Sequence, residues 1–325
     1  MQREIKIISG SANRSLAQEL AKYLKVKLTP TDTRIFSDGE IYVRIMESVR
    51  GSDVYLVQPT SPDANLNLME LLIAIDALKR ASPDKITAVI PYFGYCRQDK
   101  KIVAREPITA KLVAKMIEAA CANRVMTFDL HVPQVQGFFD IPSDNLDLIP
   151  IYAEIILSKK LKNIVFIAPD VGGAARTRAV ARVLHAPIAI VDKRRPKPGV
   201  AKVEHLVGDV KGKTAIIVDD IKDTAGTITE AASILKKYGA KDIYAITTHP
   251  VLSGDAIKKL QKSPIKEIFV TNTIELPKEK MINKIKVVSI APLLAETIKR
   301  QHEGTPMGEV YDKLYEKVKK KTHKK

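Results

Sequence analysis

Short apolar runs alternate with amphipathic stretches along most of this chain. Ile5-Lys6-Ile7-Ile8, Asp53-Val54-Tyr55-Leu56-Val57, Ile86-Thr87-Ala88-Val89-Ile90 and Arg124-Val125-Met126-Thr127-Phe128 read as strands. Between them, Leu68, Leu71, Leu72, Ile75 and Leu78 recur at helical spacing. A second strand series follows: Ile164-Val165-Phe166-Ile167, Ile188-Ala189-Ile190-Val191, Ala215-Ile216-Ile217-Val218 and Ile243-Tyr244-Ala245-Ile246. Helical patterns start near Gly173, Thr227 and Asp255, and two more run from about Ala291 to Arg300 and from Gly308 to Val318. Strands alternating with helices predict an α/β architecture of mainly parallel sheets flanked by helices. The Pro-punctuated stretch from Ile141-Pro142 to Leu148-Ile149-Pro150 ends the first series. It predicts one domain over 1–150, a second over 151–316 and a basic tail over 317–325. The halves share element order without a clear residue-level repeat.

A length of 325 residues suits two domains, and 45% hydrophobic content supports real cores. No apolar run reaches membrane-spanning length, and the N-terminus lacks a signal pattern. Cys96 and Cys121 form neither a metal-ligand spacing nor a disulfide framework, so a reducing cytoplasm is the simplest location. The net charge of +16 points to nucleic acid, an acidic surface or polyanionic small substrates. Part of it is a lysine run, Lys317 to Lys325, which reads as a solvated, frayed end. The run has no aromatic interleaving and the chain has no Trp, so neither a specific nucleic acid nor a membrane is expected as partner. There is no Gly-x-x-x-x-Gly-Lys-Ser/Thr, and no Gly-x-Gly-x-x-Gly after a strand. A P-loop kinase is thereby excluded, and any use of ATP needs another architecture.

The most informative segment is Ile216-Ile217-Val218-Asp219-Asp220-Ile221-Lys222-Asp223-Thr224-Ala225-Gly226-Thr227-Ile228. An apolar run ends in two carboxylates, then a loop of small and hydroxyl residues, then a helical pattern. Helix-start N–H groups and Thr hydroxyls can cradle a dianion. Asp219 and Asp220 cannot bind phosphate themselves; they suit sugar hydroxyls or a metal. A lone Asp-Asp would read as a cap and turn, but the whole pattern suggests a sugar phosphate. It is the pattern of the phosphoribosyl-diphosphate (PRPP) site, shared by phosphoribosyltransferases and by ribose-phosphate pyrophosphokinase, and by itself it does not choose between them.

Five further segments make that choice. Tyr92-Phe93-Gly94-Tyr95-Cys96-Arg97-Gln98-Asp99 offers aromatic faces, a guanidinium and an amide after a predicted strand. Phe36-Ser37-Asp38-Gly39-Glu40 is locally a turn signal. Asp129-Leu130-His131 is followed by Gln134-x-Gln136-Gly137-Phe138-Phe139. Pro169-Asp170-Val171-Gly172-Gly173-Ala174 has glycines that let backbone N–H groups approach phosphate. Val191-Asp192-Lys193-Arg194-Arg195-Pro196 is a strand end with three cations. Together with the first segment, and in this order, they resemble the ribose-phosphate pyrophosphokinase (PRPP synthase) family, bacterial-type and class I-like, over roughly residues 4 to 300.

The resemblance implies two tandem type I phosphoribosyltransferase-like domains and transfer of a diphosphoryl group from ATP to D-ribose 5-phosphate. It implies that Phe36, Asp38, Glu40, Arg97 and Gln98 hold ATP, with the 36–40 segment reaching a neighbouring subunit of a homo-oligomer, hexameric as in the family. Asp223, Thr224, Ala225, Gly226 and Thr227 would hold the 5-phosphate, and Asp219 and Asp220 the ribose hydroxyls. His131 and Asp170 would position Mg²⁺. Lys193 and Arg195 would supply charge to the transition state from a catalytic loop. The rivals are a phosphoribosyltransferase that consumes PRPP, which has no need of the Arg97-Gln98 loop, and a non-catalytic regulatory subunit, which tends to be altered at the loops intact here.

Three places depart from the family. Lys222 stands where a small or aliphatic residue is usual, and is expected either to strengthen 5-phosphate binding or to point to solvent. Residues 100–105 lack some polar groups of relatives, although Arg105 remains. Pro306 and Gly308 replace the Ser-x-Ser of relatives regulated by ADP, while Arg50 and Ser82 match the other side of that effector site. Weakened ADP allostery is the expectation.

Overall fold

The computed structural model describes residues 3–194 and 203–322. The chain divides into two compact units: 1–147 with 272–275 and 289–307, and 148–271 with 276–288 and 308–325.

The first unit is built on six parallel strands, β1 (Ile5–Ser9), β2 (Leu28–Thr29), β5 (Asp53–Val57), β6 (Lys85–Ile90), β7 (Arg124–Phe128) and β8 (Ser143–Leu146), in the order β2-β1-β5-β6-β7-β8. Every residue of β5 is buried, as a central strand covered on both faces requires. Helices α1 (Arg14–Leu24), α2 (Ala64–Arg80) and α3 (Thr109–Ala119) belong to this unit. In α1, Leu16, Ala17, Leu20, Ala21 and Leu24 form the buried stripe. Each fully buried Leu contributes about 1.5–3 kcal/mol. The Asn13 side chain starts this helix by accepting the Leu16 N–H, and left-handed Lys25 ends it. Strands β3 (Thr31–Ile35) and β4 (Ile41–Ile45) form a separate antiparallel hairpin that periodicity had not indicated.

The second unit carries seven strands: β9 (Ile164–Ala168), β10 (Ile188–Arg194), β11 (Val203–Val207), β12 (Thr214–Lys222), β13 (Asp242–Pro250), β14 (Glu267–Thr271) and β15 (Ile285–Val288). The order is β11-β10-β9-β12-β13-β14-β15, parallel except for β10–β11. Its helices are α4 (Ile149–Ser158), α5 (Ala174–Val183), α6 (Gly226–Lys237), α7 (Ala256–Lys262) and the terminal α9 (Gly308–Thr322). Without β11, this strand order repeats that of the first unit. The helices after β5 and β12 also start alike, from left-handed Asp63 (φ 56°) and Ala225 (φ 57°).

Two sequence expectations are corrected. Residues 289–307, including α8 (Ala291–Glu303), were expected in the second domain but pack into the first unit. Asn272 explains why: its carbonyl accepts from Asn13 Nδ2 at 2.8 Å, its Oδ1 accepts the Ile290 N–H at 2.9 Å, and its Nδ2 donates to Glu19 at 3.1 Å. At the other end of α8, His302 Nδ1 lies 2.8 Å from Asp53 Oδ2 and Gln301 Nε2 donates to Thr87. The basic run, expected to be frayed, continues α9 as far as Thr322. Val310 and Val318 are buried, and Lys317 and Lys321 both meet Glu154 Oε1, at 2.7 and 2.6 Å.

Candidate active site

In the second unit, the segments that carry chemistry leave adjacent parallel strands on the same side of the sheet, at their carboxyl ends. This is where an open α/β sheet places ligands. The 169–173 loop follows β9, and Asp170 Oδ1 accepts the Gly173 N–H at 2.9 Å, which holds the exposed carboxylate against the start of α5. The 223–225 loop follows β12 and opens into α6. Asp223 Oδ1 accepts the Ser253 hydroxyl, and its carbonyl accepts the Ser253 N–H at 3.0 Å. Left-handed Ala225 turns the chain so that Gly226 and Thr227 begin the helix. The early N–H groups of α6 therefore lie beside exposed Thr224 and Thr227.

The two carboxylates ahead of this loop are not equivalent. Asp220 is 3% exposed and pairs with Arg176 Nη1 at 2.7 Å. Arg176, in the first turn of α5, thus ties the helix after the 169–173 loop to the strand before the 223–225 loop. No motif singles Arg176 out in the sequence; its partner lies on another element. Asp219 is part-buried, and its Oδ1 accepts the Asp220 N–H at 2.9 Å. Its Oδ2 meets the ammonium of Lys222, which the sequence left either strengthening 5-phosphate binding or pointing to solvent and which is buried. Burial pushes the Asp219 carboxyl up to about 6, with Lys222 opposing the shift and Asp220 adding to it.

Lys193 lies in the part of β10 that pairs with β11, in register with Glu204. Arg195 lies outside the described residues.

In the first unit, the Arg97-Gln98 segment follows β6. The Thr60 hydroxyl donates to Tyr92 O and accepts the Gly94 N–H at 2.6 Å. A Cβ on Gly94 would stand 2.7 Å from both Thr60 O and Thr60 Oγ1, so only glycine fits. Tyr92 and Phe93 are buried, and Phe93 packs edge-on against Phe139 at 5.6 Å. They build core, so the aromatic faces expected in this loop reduce to Tyr95. Arg97 and Gln98 are exposed. Gln98 Oε1 accepts from the Thr109 hydroxyl at 2.6 Å, and its carbonyl accepts the Ala110 N–H at 3.2 Å, which anchors the loop to α3. The expected consequence of Gly94→Ala is a loss of about 1–3 kcal/mol in stability, measurable by thermal melting.

Phe36, Asp38 and Glu40 sit on the turn of the β3–β4 hairpin. The Phe36 N–H donates to Glu40 O at 2.8 Å and the Glu40 N–H to Asp38 Oδ1 at 3.1 Å. Phe36 is 51% exposed. His131 stands just beyond β7, where Asp129 N–H donates to Leu146 O and Leu130 N–H to Asn145 Oδ1. The loops of the first unit that correspond to the 169–173 and 223–225 loops are built differently. After β5, Pro59 and Pro62 remove N–H donors. After β1, the Ser11 N–H and hydroxyl are both taken by the buried carboxylate of Glu70.

Among the described residues, no three His, Cys, Asp or Glu side chains form a group that could hold a metal. Nor is any helix of these residues long and apolar enough to cross a membrane.

Comparison with known proteins agrees with this layout. Residues 5–121 match the N-terminal domain family of ribose phosphate pyrophosphokinase, and residues 174–312 match the phosphoribosyl synthetase-associated domain. The ribose-phosphate pyrophosphokinase of Bacillus caldolyticus is 54% identical over 311 residues, 96% of this chain and 99% of that protein. That of Caldanaerobacter subterraneus subsp. tengcongensis is 56% identical over 308 residues, 94% of this chain and 98% of that protein. The crystal structure of phosphoribosylpyrophosphate synthetase from Mycobacterium smegmatis superposes with a TM-score of 0.88 at 41% identity, covering 93% of this chain and 100% of that one. With both domain families matched and more than half of its residues shared with relatives along nearly the whole length, the chain belongs to the ribose-phosphate pyrophosphokinase family.

Proposed function

We propose that this enzyme transfers the β,γ-diphosphoryl group of ATP to the C1 hydroxyl of D-ribose 5-phosphate, giving PRPP and AMP for nucleotide biosynthesis. The observation that carries this reading is the pairing of an amide-and-hydroxyl loop at the start of α6 with two carboxylates on β12, beside the 169–173 loop. That combination suits a phosphate and a sugar in one ligand.

In the reaction, the C1 oxygen attacks the β-phosphorus, the bond from that phosphorus to the α-phosphate oxygen breaks, and AMP departs. The C1 hydroxyl gives up its proton to solvent. No covalent enzyme intermediate is needed, so the protein's task is in-line positioning and charge stabilisation. Residues 223–227 hold the 5-phosphate, and Asp219 and Asp220 position the ribose. Arg97 and Gln98 hold ATP, completed by Phe36, Asp38 and Glu40 of a neighbouring copy in a homo-oligomer, a hexamer. Lys193 and Arg195 meet the transferring group.

Mg²⁺, when bound, neutralises phosphoryl charge, and Asp170 and His131 would hold it. The sparse donor set fits this ion, which relies on one or two carboxylates plus substrate phosphates and water rather than an all-protein cage. The fixed, exposed carboxylate of Asp170 is such a donor. A cytoplasmic location suits a chain with these substrates.

The test is AMP formation from ATP with and without ribose 5-phosphate. Strict dependence on the sugar phosphate is expected. Sugar-independent release, or consumption of PRPP with a base instead, would overturn the assignment. In the same assay, ADP is expected to inhibit only in competition with ATP. The Arg50 and Ser82 turns adjoin through the Gly51 N–H bond to Ser82 O at 3.1 Å. Pro306 and Gly308, however, provide no hydroxyl donors, and Pro306 O already accepts from Arg300 Nη1 at 3.2 Å. Strong ADP inhibition that saturating ATP cannot relieve would show an intact effector site.

A further inference from the structure

Among the described residues, Lys222 is the one buried lysine, 2% exposed at the last position of β12. An aliphatic side chain would fill the space without the cost of desolvating an ammonium. The charge therefore calls for a reason, and its surroundings supply one. The ammonium contacts Asp219 Oδ2, while Asp219 Oδ1 accepts the Asp220 N–H at 2.9 Å. The protein thus holds both oxygens of this carboxylate, and each retains a second acceptor direction. Asp220 is balanced by Arg176 at 2.7 Å. Two carboxylates and two cations form one charge-neutral cluster at the mouth of the 223–227 loop.

We infer that Lys222 is a positioning residue for the sugar: through its contact with Asp219 it fixes that carboxylate as an acceptor for the ribose hydroxyls. This rests on the proposal above that Asp219 meets the ribose. Burial pushes the Asp219 carboxyl up to about 6, and the Lys222 charge opposes the shift. Asp220 on the same strand adds to the shift, Arg176 on α5 pairs with Asp220, and His249 lies on the neighbouring β13 in register with Ile221. Removing the ammonium allows the carboxyl to protonate at higher pH, and a protonated Asp219 offers a donor where the sugar hydroxyl needs an acceptor.

The experiment measures ribose 5-phosphate-dependent AMP formation by the full-length protein and its Lys222→Met and Lys222→Arg variants. Sugar phosphate, ATP and pH are varied, and thermal melting verifies folding. Lys222→Met is expected to raise KM for ribose 5-phosphate severalfold at about pH 6 and by up to about tenfold below it, since a one-unit rise reaches that factor in carboxylate population only on the acid side of the carboxyl's own value. The increase shrinks as pH rises, while kcat and KM for ATP stay within about twofold of wild type, well below that effect. Lys222→Arg, which keeps the charge, restores most of the affinity. If the Met variant does not fold, Lys222→Gln takes its place, keeping a donor without the charge. An unmoved KM and pH profile would overturn the inference, as would a loss spread equally over kcat and KM for ATP. Absence of sugar-dependent AMP formation in the wild type would instead overturn the proposed function itself.

Discussion

Replacing Lys193 by alanine is expected to lower kcat by about three orders of magnitude while ATP affinity changes little, the range seen when a cation is removed from a phosphoryl-transfer site. The reasoning starts from charge. As the bond to AMP lengthens, negative charge builds on oxygens around the β-phosphorus, and a cation that meets them only then lowers the barrier without tightening ground-state binding. Strand β10 is placed for such a role. It pairs with β9 only over Ile188–Ile190, then continues to Arg194 as a two-stranded ribbon with β11. Lys193 is thereby carried past the sheet edge from which the 169–173 loop leaves. Single-turnover AMP formation, with ATP binding measured separately, checks this. Near-normal turnover would remove Lys193 from the mechanism, and a loss confined to ATP affinity would make it a binding residue instead.

The Arg176→Ala variant should be damaged in two ways at once. Asp220 is almost fully buried and Arg176 lies 2.7 Å from it, so truncation removes the cation beside a buried carboxylate. Such losses cost about 3–5 kcal/mol, which for a unit of this size lowers the melting temperature by roughly 2–4 °C per kcal/mol. The functional loss follows the same bond. Arg176 joins the helix after the 169–173 loop to the strand before the 223–225 loop, so the two loops lose their mutual register. KM for ribose 5-phosphate is expected to rise by at least about tenfold, since small misplacements of positioning groups are costly. Arg176→Lys should recover part of the stability but less of the affinity, because a single ammonium lacks the planar fork of a guanidinium. A variant with wild-type melting temperature and KM would show the pair to be dispensable.

Much of the site was legible because its groups are local in sequence. Asp170 and Gly173 sit in one loop, and Thr224 to Thr227 lie on one turn at a helix start, so motif and geometry coincide. The less legible parts have identifiable causes. Strand β2 is two residues long and β8 is polar, Ser143–Leu146, so neither shows a buried-strand pattern. The β3–β4 hairpin is half-exposed and outside the main sheets, which mutes its alternation. Tyr92 and Phe93 look like a base-stacking surface on paper, yet the turn held by Thr60 and Gly94 directs them into the core. The 289–307 segment could not be assigned from its own residues, because Asn272, His302 and Gln301 find their partners on β5, β6 and α1.

The chain's own order of strands, loops and helices determined the α/β class, the doubled arrangement and the family. These depend on period and on side chains that act within a few residues of one another. The tertiary structure alone decided which charges meet. Arg176 reaches Asp220 across 44 positions because β9 and β12 are neighbours in the sheet. Lys222 is turned inward onto Asp219, where the sequence had left it between solvent and phosphate. Burial is the physical reason: within this cluster a charge is stable only beside its opposite, and which opposite is at hand depends on the packing of strands distant in sequence.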